Sequence, residues 1–365
     1  MGKNKTFLKK YLPIYAIAAF SLALISLVIL LAVRSSTALA EWVSIYIGHP
    51  VRLVLAKAFS FLPISLAEVI IALSPIIVTV IIVAAVRRKT AATRIRFLVS
   101  LLSVLSLVFS AYVYTLGVGY HRESLGARME IESVEVTKEN LISTLEILKE
   151  ECEALLPYVE FAEGGSSECA DTVKELSEKI CSAYESLAAD YPDMQLELFS
   201  SNAKAVMASE VMTDLRLLGV YSFFTGESNV NVHYPDYTLP FTIAHEFAHQ
   251  RGISRENEAN FMAFAVCIRA DDPYIRYSGY MNMIEYVASA LAKTDRDALT
   301  EFYRGLDALL IGEMNAYRDF YYANKNETLG NLSDTVNDNY LKLQGTEGIV
   351  SYGLVVRLAV AYYSN

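Results

Sequence analysis

Two histidines and a glutamate stand in a pattern that can hold a metal ion. Residues 245–249 read His-Glu-Phe-Ala-His. On an α-helix, His245 and His249 share one face, where two imidazoles can bind one Zn²⁺. Glu246 lies about 100° further around the helix and can reach a water molecule on that metal. We predict that His245 and His249 are metal ligands and that Glu246 is the catalytic residue.

A catalytic zinc site also needs a third protein ligand and an open fourth position. The sequence Ser-Arg-Glu-Asn-Glu-Ala-Asn at 254–260 begins a second helix. In that helix Glu256 and Asn260 share a face, whereas Glu258 points about 200° away. Glu256 is therefore the predicted third ligand, and Asn260 is predicted to orient a ligating histidine by hydrogen bonding. Glu258 is the alternative ligand.

The first helix, over 241–251, has its own sequence signals. Pro240 suits a first turn, Ile243 and Phe247 supply apolar surface, and Gly252 can end the helix in a tight turn.

These residues are sufficient for hydrolysis of a peptide bond. Zinc lowers the pKa of its water towards about 7 and polarises the scissile carbonyl. Glu246 then takes the proton and later delivers it to the leaving amine. Tyr352, Tyr340 and His233 are candidates for stabilising the oxyanion. The strand predicted at 228–233 is a candidate edge for binding an extended peptide.

Composition places this site beside a membrane. The 365 residues are 53% hydrophobic and only 20% charged, which excludes a disordered chain and a plain cytosolic enzyme. Residues 1–116 hold 12 Lys and Arg against 2 acids, whereas the remainder holds 19 against 39. An acidic second half argues against a nucleic-acid partner.

Three apolar stretches predict transmembrane helices at about 11–33, 66–86 and 97–119; the first and third are uncharged, and the second is uncharged except for Glu68. They divide the chain into a transmembrane domain (1–120) and a domain of metallopeptidase type (121–365). Glu68 lies at the edge of the second span, where a charge costs little, and is assigned no role. Tyr112, Tyr114 and Tyr120 fit an interfacial aromatic belt.

The basic residues fix the orientation. They cluster before the first span and between the second and third, and positive loops face the cytoplasm. The cationic residues concerned are Lys3, Lys5, Lys9, Lys10, Arg87, Arg88, Lys89, Arg94 and Arg96. The sequence therefore predicts a multi-pass cell-membrane protein with a cytoplasmic N-terminus and an extracytoplasmic C-terminal domain.

The outer domain is predicted to be helical with one small hairpin. Apolar residues recur at spacings of three and four in most segments, whereas 219–224 and 228–233 alternate around a Thr-Gly turn. The predicted helices are 138–156, 170–188, 203–218, 241–251, 255–269, 274–293, 296–325, 332–343 and 350–363. The fold class is therefore mainly α: three N-terminal transmembrane helices, then a helical extracytoplasmic domain with a small β-hairpin or edge sheet.

Four cysteines fall in this domain, where an oxidising compartment permits pairing. A disulfide among Cys152, Cys169 and Cys181 is predicted across the turn at 164–167, with the pairing open. Cys267 lies in an apolar run and is predicted to be a buried thiol.

The two motifs together resemble the zincin metallopeptidases, specifically the Glu-zincins. His245-Glu246-x-x-His249 is followed by Glu256-Asn-Glu-Ala-Asn260, where the family pattern is Glu-x-x-Ala-Asp or similar. The family aspartate is Asn260 here, and the interval before Glu256 is short. Over most of its length the chain also resembles a bacterial three-span membrane family known only as a domain of unknown function. The segments that carry this second resemblance are 225–231, 239–246, 256–261, 339–342 and 351–353.

The sequence therefore favours a membrane-anchored zinc metallopeptidase that hydrolyses a polypeptide substrate at the outer face of the lipid bilayer. Two alternatives stay open. One is a membrane sensor or assembly protein with a structural or regulatory zinc site, and the other is a cell-wall amide hydrolase. The substrate and the oligomeric state are not indicated.

Overall fold

A computed structural model describes residues 11–197, 199, 201–344 and 352–364. The fold is mainly helical, as predicted, and three of its helices are long and apolar enough to cross a membrane. The last of these begins six residues before the predicted span, because Arg94 and Arg96 interrupt the apolar run but not the helix. In chain order this part forms α1 (Ile14–Val33), α2 (Thr37–Val43), α3 (His49–Phe59), α4 (Leu66–Val86) and α5 (Ala91–Thr115), of which α1, α4 and α5 are the long apolar helices.

The segment between α1 and α4 is folded against the domain that follows α5, which is called the outer domain after its predicted location. α2 and α3 are joined by a π-helical turn at Ser44–Gly48. Arg52 on α3 is 2% exposed, and it donates to the carbonyl oxygens of Ser44 and Tyr114 at 3.3 Å each. Glu41 on α2 accepts two hydrogen bonds from the Arg122 guanidinium, at 2.9 and 2.7 Å. This segment therefore ties the long apolar helices to the domain that follows.

Two glutamates join α4 to the outer domain. Glu227 is buried, and its carboxylate accepts hydrogen bonds at 3.0 Å from the first two backbone N–H groups of α4. In return, Glu68 on α4 accepts hydrogen bonds from the backbone N–H groups of Met207 and Ala208, at 3.1 and 2.8 Å. Glu68, assigned no role from the sequence, is thus part of this junction.

The outer domain is a helical bundle with α11 (Glu256–Arg269) at its centre. This helix is buried along most of its length. It packs against α8 (Val173–Asp190), α10 (Thr238–Gln250), α12 (Pro273–Thr294) and α16 (Tyr352–Ser364). The single helix predicted at 296–325 is wrong, because Gly305 ends one helix and the Asp307 carboxylate caps the next. The helices of the domain are α6 (Leu125–Arg128), α7 (Lys138–Glu153), α8 (Val173–Asp190), α9 (Ser209–Asp214), α10 (Thr238–Gln250), α11 (Glu256–Arg269), α12 (Pro273–Thr294), α13 (Arg296–Arg304), α14 (Ala308–Asn324), α15 (Glu327–Leu343) and α16 (Tyr352–Ser364).

A three-stranded sheet lies beside α10. The strands of the described chain are β1 (Glu160–Phe161), β2 (Ser167–Glu168), β3 (Lys204–Ala205), β4 (Gly219–Tyr221) and β5 (Ser228–Val230). β4 and β5 pair antiparallel and confirm the predicted hairpin, while β3 joins the other side of β5 in parallel. The edge role proposed for the strand at 228–233 is therefore wrong, because β5 is the central strand and β3 and β4 are the edges.

The helix predicted at 203–218 is also wrong in its first part. Residues 204 and 205 pair with β5, and only α9 within this range is α-helical. Long-range strand pairing outweighs the local helical periodicity here.

The four cysteines are free thiols. The predicted disulfide among Cys152, Cys169 and Cys181 is therefore not formed. Cys267 is fully buried, which confirms that part of the prediction.

Candidate metal centre

The helix α10 carries both histidines of the motif and is buried on nearly every side. It begins three residues before the predicted start. It ends where predicted, at Gly252, whose φ of +88° suits glycine. The N–H of Gly252 donates to the His249 carbonyl at 2.9 Å, and the N–H of Ile253 donates to the Ala248 carbonyl at 3.0 Å. This tight C-cap turns the chain back so that α11 packs along α10.

The turn brings the three predicted ligands together. One ligand atom from each of His245, His249 and Glu256 lies within 4.8 Å of the others. His245 Nε2 is 3.2 Å from Glu256 Oε2, and His249 Nε2 is 3.6 Å from Glu256 Oε1. The two imidazole rings are nearly perpendicular, with centroids 4.7 Å apart. Two nitrogens and a carboxylate therefore converge on one point.

His249 is held with Nε2 towards that point. Its Nδ1 lies 2.7 Å from the carbonyl oxygen of Ile253, which requires the proton on Nδ1. Metal-ligating histidines commonly donate their other ring N–H in this way. Burial would lower the pKa of His249, but the Glu256 carboxylate outweighs it and raises that pKa to about 9. A cation is therefore favoured between these groups, and a metal ion can replace the proton.

Glu246 points into the same space with one unused oxygen. Its side chain is 4% exposed, and Oε2 has no hydrogen-bond partner among the described residues. Burial raises the pKa of Glu246, although the neighbouring histidines oppose that rise. The other oxygen lies against Gly219, where a Cβ would come within 2.5 Å of Oε1. An unpartnered buried carboxylate oxygen is costly unless a water molecule or a substrate group binds there.

The other two candidate residues on α11, Asn260 and Glu258, lie on different sides of the helix. Asn260 is buried and lines the cavity with Glu256, on the predicted face, but it makes no hydrogen bond to either histidine in the described part of the chain. Glu258 lies on the opposite side of α11. It accepts hydrogen bonds from the Leu125 backbone N–H at 3.0 Å and from Arg255 at 2.7 Å, so it is not close to the histidines.

Of the three residues predicted to stabilise the oxyanion, one lies in the cavity wall. His233 is outside the cavity, with Nδ1 3.2 Å from the Thr213 hydroxyl and its ring against Phe320. The side chain of Tyr352 lies outside the described residues. Tyr340 on α15 lines the cavity, and its hydroxyl oxygen is 3.3 Å from that of Tyr120.

The site opens into a cavity of about 770 Å³ whose wall is largely apolar. Besides the motif residues, the lining side chains and backbone come from the end of α5 and the 3₁₀ turn after it, from β4 and the chain on either side of it, and from α10, α11, α12 and α15. They are Tyr112, Leu116, Tyr120, Leu215, Arg216, Leu217, Leu218, Gly219, Val220, Tyr221, Phe223, Phe241, Thr242, Asn260, Asn282, Tyr286, Leu332, Ser333, Val336, Asn337 and Tyr340.

Sequence reasoning missed three of these residues. Tyr112 and Tyr120 were assigned to an interfacial belt, yet they face the cavity; the glycines at 117 and 119, where the α-helix gives way to a 3₁₀ turn, were the available signal. Gly219 gave no signal, since a glycine at the start of a strand has many explanations.

A family described as "Protein of unknown function (DUF3810)" matches residues 44–360, from the π-helical turn to the C-terminal helix. No curated protein and no solved structure matches the chain.

Proposed function

The chain belongs to the DUF3810 family, and we propose that it is a membrane-anchored zinc metallopeptidase of zincin type. The observation that carries the proposal is the convergence of His245, His249 and Glu256 on the cavity, with the unpartnered Oε2 of Glu246 beside them. A purely structural zinc site has no use for a fourth side chain, the non-ligating acid Glu246.

The three side chains fit zinc in type and spacing. With bonds of about 2.0–2.1 Å, a tetrahedral Zn²⁺ holds neighbouring ligand atoms about 3.3 Å apart. The nitrogen–oxygen distances of 3.2 and 3.6 Å match that spacing. Three protein ligands leave a fourth position open towards the cavity, as catalytic sites require.

A zinc ion held here supplies a Lewis acid, which acidifies a water molecule and polarises the carbonyl under attack. Glu246 Oε2 accepts a proton from the attacking water as the new C–O bond forms. It returns that proton to the amide nitrogen as the C–N bond breaks, so the carboxylate is regenerated. Gly219 fixes the position of the carboxylate, because its missing side chain leaves room for Oε1.

Tyr120 and Tyr340 both line the cavity, and each carries a hydroxyl group that can donate a hydrogen bond. Burial raises the pKa of both phenols, and the Glu256 carboxylate adds to the rise. Both therefore stay protonated at neutral pH and can donate to an oxyanion. We assign this role to Tyr340, which lies on the cavity side of α15.

The topology is part of the proposal. The helices α1, α4 and α5 cross the bilayer, the N-terminus and the Arg-rich turn between α4 and α5 face the cytoplasm, and the metal centre lies outside. Peptide bonds of extracytoplasmic polypeptides are then the substrate class.

The test is the zinc content and casein hydrolysis of the detergent-purified full-length protein. We expect one zinc per chain in the wild type, and hydrolysis that a chelator abolishes. Glu246→Gln should keep zinc and lose hydrolysis, whereas His249→Ala should lose both. His233→Ala is the matched control, because this histidine lies outside the cavity, and it should keep both.

A wild-type protein that binds no zinc after reconstitution at neutral pH overturns the proposal. Zinc retained without hydrolysis of any peptide or amide would overturn the enzyme and favour a sensor or assembly role.

A further inference from the structure

The cavity extends from the metal centre to the end of a membrane helix. Tyr112 in the last turn of α5 lines it, together with Leu116 just beyond. From Arg96 to Thr115 α5 rises about 30 Å, which equals the thickness of the hydrocarbon core. If Arg96 marks the cytoplasmic boundary, this end of the cavity lies at the outer surface of the bilayer.

One wall of the cavity is apolar, and the described residues leave it uncovered. Leu332 and Val336 on α15 line the cavity, yet they are 58% and 62% exposed. They lie four residues apart on one face of the helix. Val220 on the edge strand β4 also lines the cavity and is 43% exposed. These side chains therefore form an apolar lining that the described chain leaves uncovered.

Charge is scarce in this lining. Among the described lining residues outside the two motifs, Arg216 is the only one with a charged side chain, and it forms an ion pair with Asp334 at a nitrogen–oxygen distance of 2.6 Å. An acidic or basic peptide would therefore find no free counter-charge, whereas an apolar segment would bury its surface and that of the wall.

We infer that the substrate is an apolar juxtamembrane segment of a membrane-attached polypeptide, bound between α15 and β4 with its scissile bond at the metal centre. This inference rests on the proposed function and narrows its substrate class. Because the cavity runs from the end of α5 to Glu246, such a segment enters beside the end of α5. Because the lining side chains of Leu332, Val336 and Val220 are apolar and exposed, the segment that covers them is apolar.

The test uses the full-length protein in phosphatidylcholine vesicles. Palmitoylated fluorogenic peptides share one Leu-rich cleavable segment, joined to the lipid by a Gly/Ser spacer of about 2 or about 25 residues. We expect the short spacer to give the higher kcat/KM by about tenfold, since the long spacer lowers the local concentration of the segment at the cavity. Replacing the Leu residues by Asp should lower kcat/KM by at least about tenfold.

Matched variants probe the wall. Val336→Asp should lower kcat/KM for the Leu-rich peptide while zinc content stays unchanged. Leu343→Asp is the control, because Leu343 lies on the same helix, is 74% exposed and does not line the cavity. It should leave kcat/KM unchanged.

The outcomes separate the two proposals. A protein without zinc or any hydrolysis overturns the metallopeptidase itself. A zinc protein that cleaves casein, but cleaves the long-spacer or Asp-containing peptide as fast as the short-spacer Leu-rich one, overturns only the juxtamembrane substrate. Equal effects of Val336→Asp and Leu343→Asp would also overturn it.

Discussion

The carboxylate of Glu246 rests on the Cα of Gly219, so closely that a Cβ at residue 219 would lie 2.5 Å from Oε1. The edge strand β4 and the helix α10 are therefore in close contact at this point. The distance between them sets the position of the Glu246 carboxylate, which is the proposed base.

Gly219→Ala is expected to push the Glu246 carboxylate away without touching the metal ligands. A displacement of about 1 Å can lower a rate about 100-fold. We therefore expect casein hydrolysis to fall by that order while zinc content stays at the wild-type level. Gly164→Ala is the control, since a Cβ there meets nothing within 4 Å. Hydrolysis at the wild-type rate in Gly219→Ala would contradict the role assigned to Glu246.

Gly252→Ala is expected to weaken zinc binding through the turn that delivers Glu256. The φ of +88° costs an alanine about 1–2 kcal/mol, and the new Cβ would lie 2.5 Å from Arg52 Nη2. We expect a lower Tm and a higher Kd for zinc, measured by thermal unfolding and by competition with a chelator. At Gly305 a Cβ meets no atom nearer than 3.4 Å, so Gly305→Ala should change the zinc Kd little. An unchanged zinc Kd in Gly252→Ala would argue against Glu256 as a ligand.

Asp334→Asn is expected to loosen α15 selectively. The ion pair with Arg216 is partly exposed and is worth less than about 1 kcal/mol, and only Gly330 and Leu341 of α15 are buried. Hydrogen exchange of the amides in 327–343 should therefore become faster while Tm hardly changes. Asp319→Asn removes an exposed ion pair on α14 and should leave exchange in α15 as it is. If exchange in α15 did not respond to Asp334→Asn, this ion pair would have no part in holding the helix.

Glu313→Gln is expected to stabilise the protein at neutral pH. Glu313 is fully buried, it accepts hydrogen bonds from the Ser167 N–H and the Tyr277 hydroxyl, and burial raises its pKa. A carboxyl with a raised folded-state pKa stabilises the fold below its unfolded pKa, and that contribution is lost as pH rises through the folded pKa. Glutamine keeps an acceptor for both donors and carries no charge.

Thermal unfolding at about pH 5 and about pH 8 measures this effect. We expect Tm of Glu313→Gln to exceed that of the wild type more at the higher pH. A variant with a lower Tm at the higher pH would show instead that the ionised form is stabilised in the fold.

The motif helix and its partner could be predicted because their signals are local. The spacing of His245 and His249, the turn at Gly252 and the shared face of Glu256 and Asn260 depend only on helix geometry, and each is found where it was expected. The sequence left Glu258 open as the alternative ligand, and its hydrogen bonds to the Leu125 N–H and Arg255 show that it lies away from the histidines.

What the sequence could not supply depends on contacts between distant segments. The strand at 204–205 forms only because β5 offers it a backbone partner, and the edge position of β4 follows from that pairing. Likewise, Tyr120 reaches the site because it meets Tyr340 from a helix 220 residues later. No periodicity within either segment predicts this contact between Tyr120 and Tyr340.

The reciprocal bonds of Glu227 and Glu68 at the start of α4 fasten the outer domain directly to a helix long and apolar enough to cross a membrane, with backbone N–H groups as the anchor points on both sides. A domain on a flexible linker would sample a range of heights above the lipid. Under the proposed function, this rigid junction holds the metal centre at one height, so the distance of a peptide bond from the membrane surface selects the bond that is cleaved.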